Sequence, residues 1–480
     1  MDKEYKQYFW LVFSISFAAF MGKLDFYIVN ISLPSIAKDY NVDVSQVSQV
    51  VLYFMLFLTS TMMIFGKIAD KTDLKKLFIW GYAVFTIGSA LCGLSTNIFM
   101  LVGSRCIQGI GGAMLSISTI ALIPRILPKE VMGWAFGIVS TAAALGVSAG
   151  APLGGIITAY FSWHWVFLIN IPIGILAIIT ARRVLPNCPG FGRDKSRKFD
   201  YTGAVTSFLS IFLLLFALNK GKEMGWTSLP ITGCFAAAVI ILAVFVIVEL
   251  KSSHPLLNFR IFRDKGFLYA VIAGSCAFLI MSGNNFLMPF YLELVKQLTP
   301  DKVGFVLMCF SVVYIMVGPR AGKLADKIDP RILCLSAMFS GMAAVLFFAA
   351  TLHLGGLTYV IIFLVWMGIS YGCFISPNNK LVMEQAPADM QGEASGVFNM
   401  LTTLFQAFGI CIFETIFSEH LPVTSKSLHH SNFPSWQILT GFQTDYAIAA
   451  GIFLFAAILT IITLQIRPIK RDKVEVIPEI

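Results

Sequence analysis

Apolar residues fall in long runs separated by short polar segments. The runs lie near 9-31, 47-66, 77-96, 98-123, 133-160, 165-181, 201-219, 229-249, 267-291, 303-321, 332-352, 357-377, 395-417 and 446-466. An α-helix needs about 20 residues to cross a hydrocarbon core roughly 30 Å thick, and these runs have that length. They are also continuous, whereas strands of a membrane barrel alternate polar and apolar positions. The pattern predicts an all-α polytopic membrane protein with 14 transmembrane helices. An even number of spans places both termini on one side.

One polar segment occurs twice. Gly66 to Leu77 reads GKIADKTDLKKL and Gly322 to Leu333 reads GKLADKIDPRIL, with 7 of 12 positions identical at an offset of 256 residues. The first copy joins spans 2 and 3 and the second joins spans 10 and 11. A duplicated six-helix unit would give an offset of six spans; the observed eight implies two inserted helices. The expected organisation is an N-terminal six-helix bundle over 1-183, a linker with two inserted helices over 184-265, a C-terminal six-helix bundle over 266-467 and a tail over 468-480. Pro186, Pro189, Gly190 and Gly192 mark the linker. In the repeat, Gly66 and Gly322 are expected to turn the backbone closely at a helix end. Asp70 and Asp326 are expected to cap a neighbouring helix N-terminus, with Lys71 and Lys327 holding the loop on the cytoplasmic side. A paired loop of this kind suits a gate in a two-state machine.

Composition then fixes the orientation. Hydrophobic residues make up 57% of the 480 and charged residues 13%, about half the charged share of a soluble domain. With the N-terminus inside, inner segments hold 27 of the 35 Lys and Arg, and outer segments hold six. By the positive-inside rule both termini are cytoplasmic, and the short termini fit a bacterial cytoplasmic membrane. The net charge of +9 is explained by topology and anionic headgroups, without nucleic acid. Nine Cys, with no CxxC pair and all but Cys188 in apolar segments, predict neither disulfide nor metal-thiolate site. His420, His429 and His430 in the outer segment 418-445 show no ligand spacing, so no metal site is expected. No GxxxxGKS or HExxH occurs, which points away from nucleotide-driven transport and from an enzyme, and no cofactor is expected.

Lys23 and Arg105 are the cations left inside the spans. At about 1.5 Å per residue, Asp25 lies about 22 Å from the inner face and Arg105 roughly 19 Å, so a pair between helices 1 and 4 is possible. Such a pair would let protonation of Asp25 release Arg105. The same arithmetic puts Glu293 and Glu414 near the outer rim and Glu384 near the inner one, which leaves Asp25 as the intramembrane carboxylate. Gln108, one turn beyond Arg105, extends the same polar face. Lys23, two residues from Asp25, points nearly opposite and is a candidate substrate contact. Gly146, Gly150, Gly154 and Gly155 on helix 5 follow small-residue spacing for close helix contact, and Pro152 adds a kink.

Several of these segments resemble one family. GKIADKTDLKKL looks like the signature between helices 2 and 3 of the major facilitator superfamily, and LDFYIVNISLP at 24-34 resembles the first-helix signature of its fourteen-helix drug:proton antiporter branch. RCIQGIGGA at 105-113 resembles the fourth-helix signature. GVSAGAPLGG at 146-155 and WHWVFLINIPIG at 163-174 resemble the antiporter signature of helix 5 and the start of helix 6. PFYLELVKQLTPDKVGF at 289-305 and GEASGVFNMLTTLFQAFG at 392-409 also look like that branch. The chain departs from the pattern at Asp73, where Gly is usual, at His164 and Thr402, where Arg is common, and at Pro152, one place late.

The resemblance implies a major facilitator fold with helices 1, 4, 9 and 12 lining a central path. Phe26, Tyr27, Asn30, Asn284, Asn285, Tyr291, Asn378 and Asn379 are then candidate cavity residues, an aromatic and amide mix suited to an amphipathic organic molecule. It implies a monomeric, proton-coupled antiporter that exports such compounds by alternating access, with Asp25 and Arg105 coupling the proton. The alternatives are a carrier for a specific anionic metabolite, siderophore or lipid, and a membrane sensor or scaffold without transport.

Overall fold

The structure, a computed structural model, describes residues 3-188, 201-251, 259-386, 391-420 and 435-466. The helices are α1 (Lys3–Tyr40), α2 (Val44–Lys71), α3 (Leu74–Gly93), α4 (Ile98–Ile126) and α5 (Lys129–Tyr160). The short α6 (His164–Leu168) and α7 (Asn170–Val184) together form the sixth span, followed by α8 (Tyr201–Met224) and α9 (Leu229–Lys251). The second half comprises α10 (Lys265–Phe290) with a π-helical turn at Tyr291–Val295, α11 (Pro300–Ala325), α12 (Pro330–Thr351), α13 (Leu357–Gln385), α14 (Gln391–Glu419) and α15 (Ser435–Ile466). Among the described residues, 14 spans are long and apolar enough to cross a membrane, as the hydrophobic pattern predicts. The tail 468-480, linker residues 189-200, His429 and His430 lie outside the described residues.

The duplication is visible in the packing. In the first half α1 packs on α5, α4 on both α2 and α3, and α3 on α7; in the second half α10 packs on α14, α13 on both α11 and α12, and α12 on α15. Each contact of one bundle has its counterpart in the other. The seam between halves keeps the same symmetry, because α5 packs on α11 while its counterpart α14 packs on α2. The inserted α8 lies against both α2 and α14, and α9 packs on α8. We call the face where α1 begins and α15 ends the terminal face, and the opposite one the distal face.

Helix starts are chosen by short side chains that accept orphan backbone N–H groups. Asp43 and Gln46 form a capping box at α2, Asn97 caps α4 and Asp264 caps α10. The repeated loop behaves differently from the expectation. Its second aspartate does the capping: Asp73 accepts from Lys75 N at α3, and Asp329 from Arg331 N at α12. Asp326 instead pairs with Lys380 at 2.6 Å within its own half, because it stands at the C-terminal end of α11, where the nearby N–H groups are already bonded to carbonyls of that helix. Gly66 and Gly322 likewise sit inside α2 and α11 rather than at a turn, and Gly322 faces Ser376. Lys327 is exposed; the side chains of Asp70 and Lys71 lie outside those described.

The last span also begins earlier than its apolar window. Asp445, which the hydropathy pattern leaves in an outer segment, stands inside α15 and is fully buried. One acid in the first turns of an otherwise apolar helix cuts the window short without ending the helix.

Candidate functional site

Asp25 occupies the centre of the first bundle, at 0% exposure like Arg105 and Gln108. Its Oδ2 accepts from Arg105 Nη1 at 2.7 Å. Its Oδ1 accepts from Gln108 Nε2 and from Asn170 Nδ2, both at 2.8 Å. The guanidinium is held in turn: Nε donates to Val50 O at 3.1 Å, Nη1 also donates to Gln108 Oε1 at 2.6 Å, and Cζ stands 4.0 Å from the centre of the Phe54 ring. Ser89 Oγ accepts from Gln108 Nε2 at 2.7 Å. Residues of α1, α2, α3, α4 and α7 thus converge on one carboxylate.

Small residues permit this convergence. A Cβ on Gly88 would strike the Gln108 backbone, one on Gly109 the Phe54 carbonyl, and one on Gly111 the Phe85 backbone. The glycines bring α4 close enough to α2 and α3 for side chains to close the network. A charge pair of this kind is tolerable in a dry bundle only when the remaining lone pairs and protons are also engaged. Asp25 meets that condition with three donors. Arg105 keeps Nη2 without a hydrogen bond, and the Phe54 face lies beside it as an alternative resting place for positive charge.

The opposite side of α1 faces the seam between halves. Lys23, Tyr27, Asn30 and Ile31 share one helix face by their spacing. Tyr27, Asn30 and Ile31 line a cavity completed by Ala151, Asn285, Leu307, Phe310, Ser311 and Leu364. Its volume of about 20 Å³ admits water and no organic molecule. Asn30 leaves Oδ1 without a partner while its Nδ2 donates to Phe26 O, and the Asn285 amide lies beside the Tyr27 hydroxyl. An acceptor, a donor and two aromatic rings therefore face one space. Lys23 stands one turn toward the terminal face, with its Cβ against Gly146 of α5.

The other candidate residues lie elsewhere. Phe26 packs edge-on against Tyr27 at 5.4 Å. Asn284 is inside the second bundle, where its Oδ1 accepts from Tyr446 Oη at 2.8 Å. Tyr291 belongs to an aromatic cluster with Phe348 and Phe442, Asn378 is buried beside Gly274, and Asn379 is exposed. Ser89 and Asn170 were not singled out by the sequence; the signal available was only that Asn170 interrupts the apolar string WHWVFLINIPIG.

The helix 5 motif is divided between two tasks. Gly146, Gly150 and Gly154 seat α5 on α1 at Phe20, Tyr27 and Ile28. Gly155 and Pro152 instead meet the other half: a Cβ on Gly155 would strike Pro300 O, and one on Gly304 would strike Ala151 O and come 3.0 Å from Pro152 Cα. These contacts lie near the distal face, where Lys38 at the end of α1 is also within electrostatic reach of Glu293. Nearby, Lys296 donates to Gly355 O at 2.8 Å, and burial holds its ammonium below the ordinary lysine range. The halves are therefore drawn together at the distal end.

Two matching bundles that meet at a seam are the plan of a transporter built by duplication. Residues 15-410 match the family model described as Major Facilitator Superfamily. The chain belongs to that superfamily. It is 32% identical to riboflavin transporter RibZ of Clostridioides difficile (strain 630), over 98% of this chain and 99% of that protein. It is 27% identical to multidrug resistance protein Stp of Mycobacterium tuberculosis (strain ATCC 25618 / H37Rv), over 84% and 75%. In fold it is similar to an inward-facing, unoccupied bacterial homologue of the human lysosomal transporter Spinster, with a TM-score of 0.68 at 13% identity covering 97% and 98%. It is also similar to a POT family transporter in complex with 5-aminolevulinic acid, with a TM-score of 0.68 at 15% identity covering 94% and 96%.

Proposed function

We propose that this transporter exports an amphipathic organic compound across a bacterial cytoplasmic membrane in exchange for protons, with both termini in the cytoplasm and the distal face outside. The observation that carries the reading is the Asp25–Arg105 pair at 2.7 Å. Ionisable residues inside a membrane are costly, and acids kept there are a recurring element of proton relays. A proton on Asp25 removes the charge that holds Arg105, and Gln108 and Asn170 must then exchange partners. Because these groups sit on five helices of one bundle, the exchange biases how that bundle meets its partner. Asp25 points away from the seam while Tyr27 and Asn30 point into it, so α1 carries the proton group on one side and the substrate groups on the other.

The cycle runs as follows. With the distal face open, Asp25 takes a proton as substrate leaves; the distal face then closes through Gly155, Gly304 and the Lys38 and Glu293 ends; the proton leaves toward the cytoplasm as new substrate is admitted. The second reading, a carrier for one specific metabolite, is favoured by the unpartnered Asn30 Oδ1 and the Asn285 amide in the same cavity, which suit the edge of a polar aromatic ring, and by the likeness to a riboflavin transporter.

Purified protein in liposomes with an imposed pH gradient separates these readings. A panel of lipophilic cations, neutral drugs and riboflavin is offered, and internal pH is followed. Drug antiport predicts proton movement with several cations or neutral compounds and none in Asp25→Asn. Proton movement with riboflavin alone selects the second reading, and unchanged coupling in Asp25→Asn sinks the role of Asp25.

A further inference from the structure

The seam-facing side of α1 changes character along its length. Phe13, Phe17, Phe20, Lys23, Tyr27 and Asn30 share that face of the helix by their spacing. Exposure falls along it from the terminal end inward: Phe13 is exposed, Phe17, Phe20 and Lys23 are half-buried, and Tyr27 and Asn30 are buried. Across the seam α11 repeats the step, with Phe310 buried and Tyr314, one turn nearer the terminal face, half-buried. Lys23 therefore stands where the closed part of the seam ends and the approach from the terminal face begins.

That approach is aromatic. Phe9, Phe13, Phe17 and Phe20 form a ladder along α1, with successive ring centres 6.1, 5.2 and 6.3 Å apart. On α11 the Phe310 and Tyr314 rings lie parallel at 6.1 Å. Lys23 follows the last rung, its stem set against α5, where a Cβ on Gly146 would lie 3.2 Å from Lys23 Cβ. Among the described residues Lys23 has neither a hydrogen bond nor an ion pair. Asp25, two residues on, points to the other side of α1 and is taken by Arg105, Gln108 and Asn170. An ammonium inside a bilayer is costly unless it meets water or an anion. Lys23 lies 13 residues beyond Trp10, hence about 20 Å into the span and too deep for a lipid headgroup to meet it.

We propose that Lys23 is a specificity-determining residue of the transport path: its ammonium pairs with a carboxylate on an aromatic substrate whose ring lies along Phe20 and Tyr27. Aromatic acids are then bound more tightly than neutral compounds of the same shape. The assignment takes the seam as the substrate path, so it rests on the export reading above and names a substrate class within it.

Equilibrium dialysis of the purified full-length protein in nanodiscs of zwitterionic lipid tests this with naphthalene carboxylate and its carboxamide, alike in ring and shape and different in charge. Wild type is expected to bind the carboxylate about tenfold tighter, the worth of a hydrogen bond between charged groups. The preference is expected to vanish in Lys23→Gln and in Lys23→Met, two neutral side chains of similar length, so that either variant suffices if the other folds poorly. Wild type that binds the two compounds equally, or binds no carboxylate, overturns the proposal, as does a preference that survives in either variant. No pH gradient enters the measurement: failed antiport in liposomes leaves a carboxylate preference standing, and equal binding of the two naphthalenes leaves antiport standing.

Discussion

Valine at Gly155 is the sharpest perturbation of the switch. A Cβ there lands on the Pro300 carbonyl oxygen and 3.1 Å from Asp301 Cα. Both obstacles are backbone, so no rotamer relieves them and α5 and α11 must move apart. Overpacking of this sort costs about 1 to 3 kcal/mol. Because α5 and α11 belong to different halves, the cost falls on the distal-closed state and is absent when that face opens. At roughly 1.4 kcal/mol per tenfold, the closed-to-open ratio falls by about 5-fold to 150-fold. Ser311, which lines the cavity at 2% exposure, reports the change. In a background with the nine native cysteines replaced, Ser311→Cys should react faster with a membrane-impermeant maleimide from the distal side once Gly155→Val is added. Transport should fall while the melting temperature in detergent stays near wild type. Gly111→Val is the control, since its Cβ strikes Phe85 backbone inside one half and should lower the melting temperature instead. Unchanged labelling in a well-folded Gly155→Val protein would refute the claim that this contact closes the distal face.

Other outcomes follow from single contacts. Asn170→Ala removes one donor from a buried carboxylate and should destabilise the protein by about 1.5 to 3 kcal/mol, read as a lower thermal midpoint in detergent. Arg331 is buried, paired with Asp329 at 2.7 Å and bonded to Thr463 O at 3.0 Å. Arg331→Met should cost about 3 kcal/mol in the same assay and leave the proton-to-substrate ratio unchanged, because the bond to Thr463 O ties α12 to α15 within one half. Burial pushes the Cys188 thiol above its ordinary range. The folded thiol therefore holds its proton at pH values where an unfolded one has lost it, so it should alkylate more slowly than a free thiol near pH 8 and catch up only at more alkaline pH. A Cys188 rate equal to that of a free thiol would count against the burial.

How much of this could be read from the sequence depends on what each residue type costs in a membrane. Charged residues are rare in spans, so Asp25 and Arg105 stood out, and helix rise alone put them at one depth. Ser89 and Asn170 are neutral and scattered; only the rotation of α3 and α7 about their axes reveals that they close the network, and periodicity carries no rotation between helices. The same limit explains Asn284 and Asn378, which share composition with cavity residues but face the interior of their own half. The repeated loop announced the duplication, yet which aspartate caps a helix was decided by where each helix ends, a matter of one turn. Asp445 was hidden because a window of apolar residues ends at the first acid, whether or not the helix does.

The two bundles repeat each other's packing but not each other's charge. A duplication delivers both halves with the same helix contacts, so substitutions at buried polar positions are the means by which they take different tasks. In the first half a carboxylate accepts hydrogen bonds from Arg105 and Gln108 of α4 and from Asn170 of α7. In the second, the helices that correspond to α1 and α7 carry Asn284 and Tyr446, joined at 2.8 Å, a neutral pair that needs no counter-ion. The buried acids there, Glu414 on α14 and Asp445 beside Tyr446 on α15, stand on helices other than the counterpart of α1. The matched packing lets each half move as a unit about the seam, as rigid-body rocking requires, while the buried polar groups inside each half are free to differ.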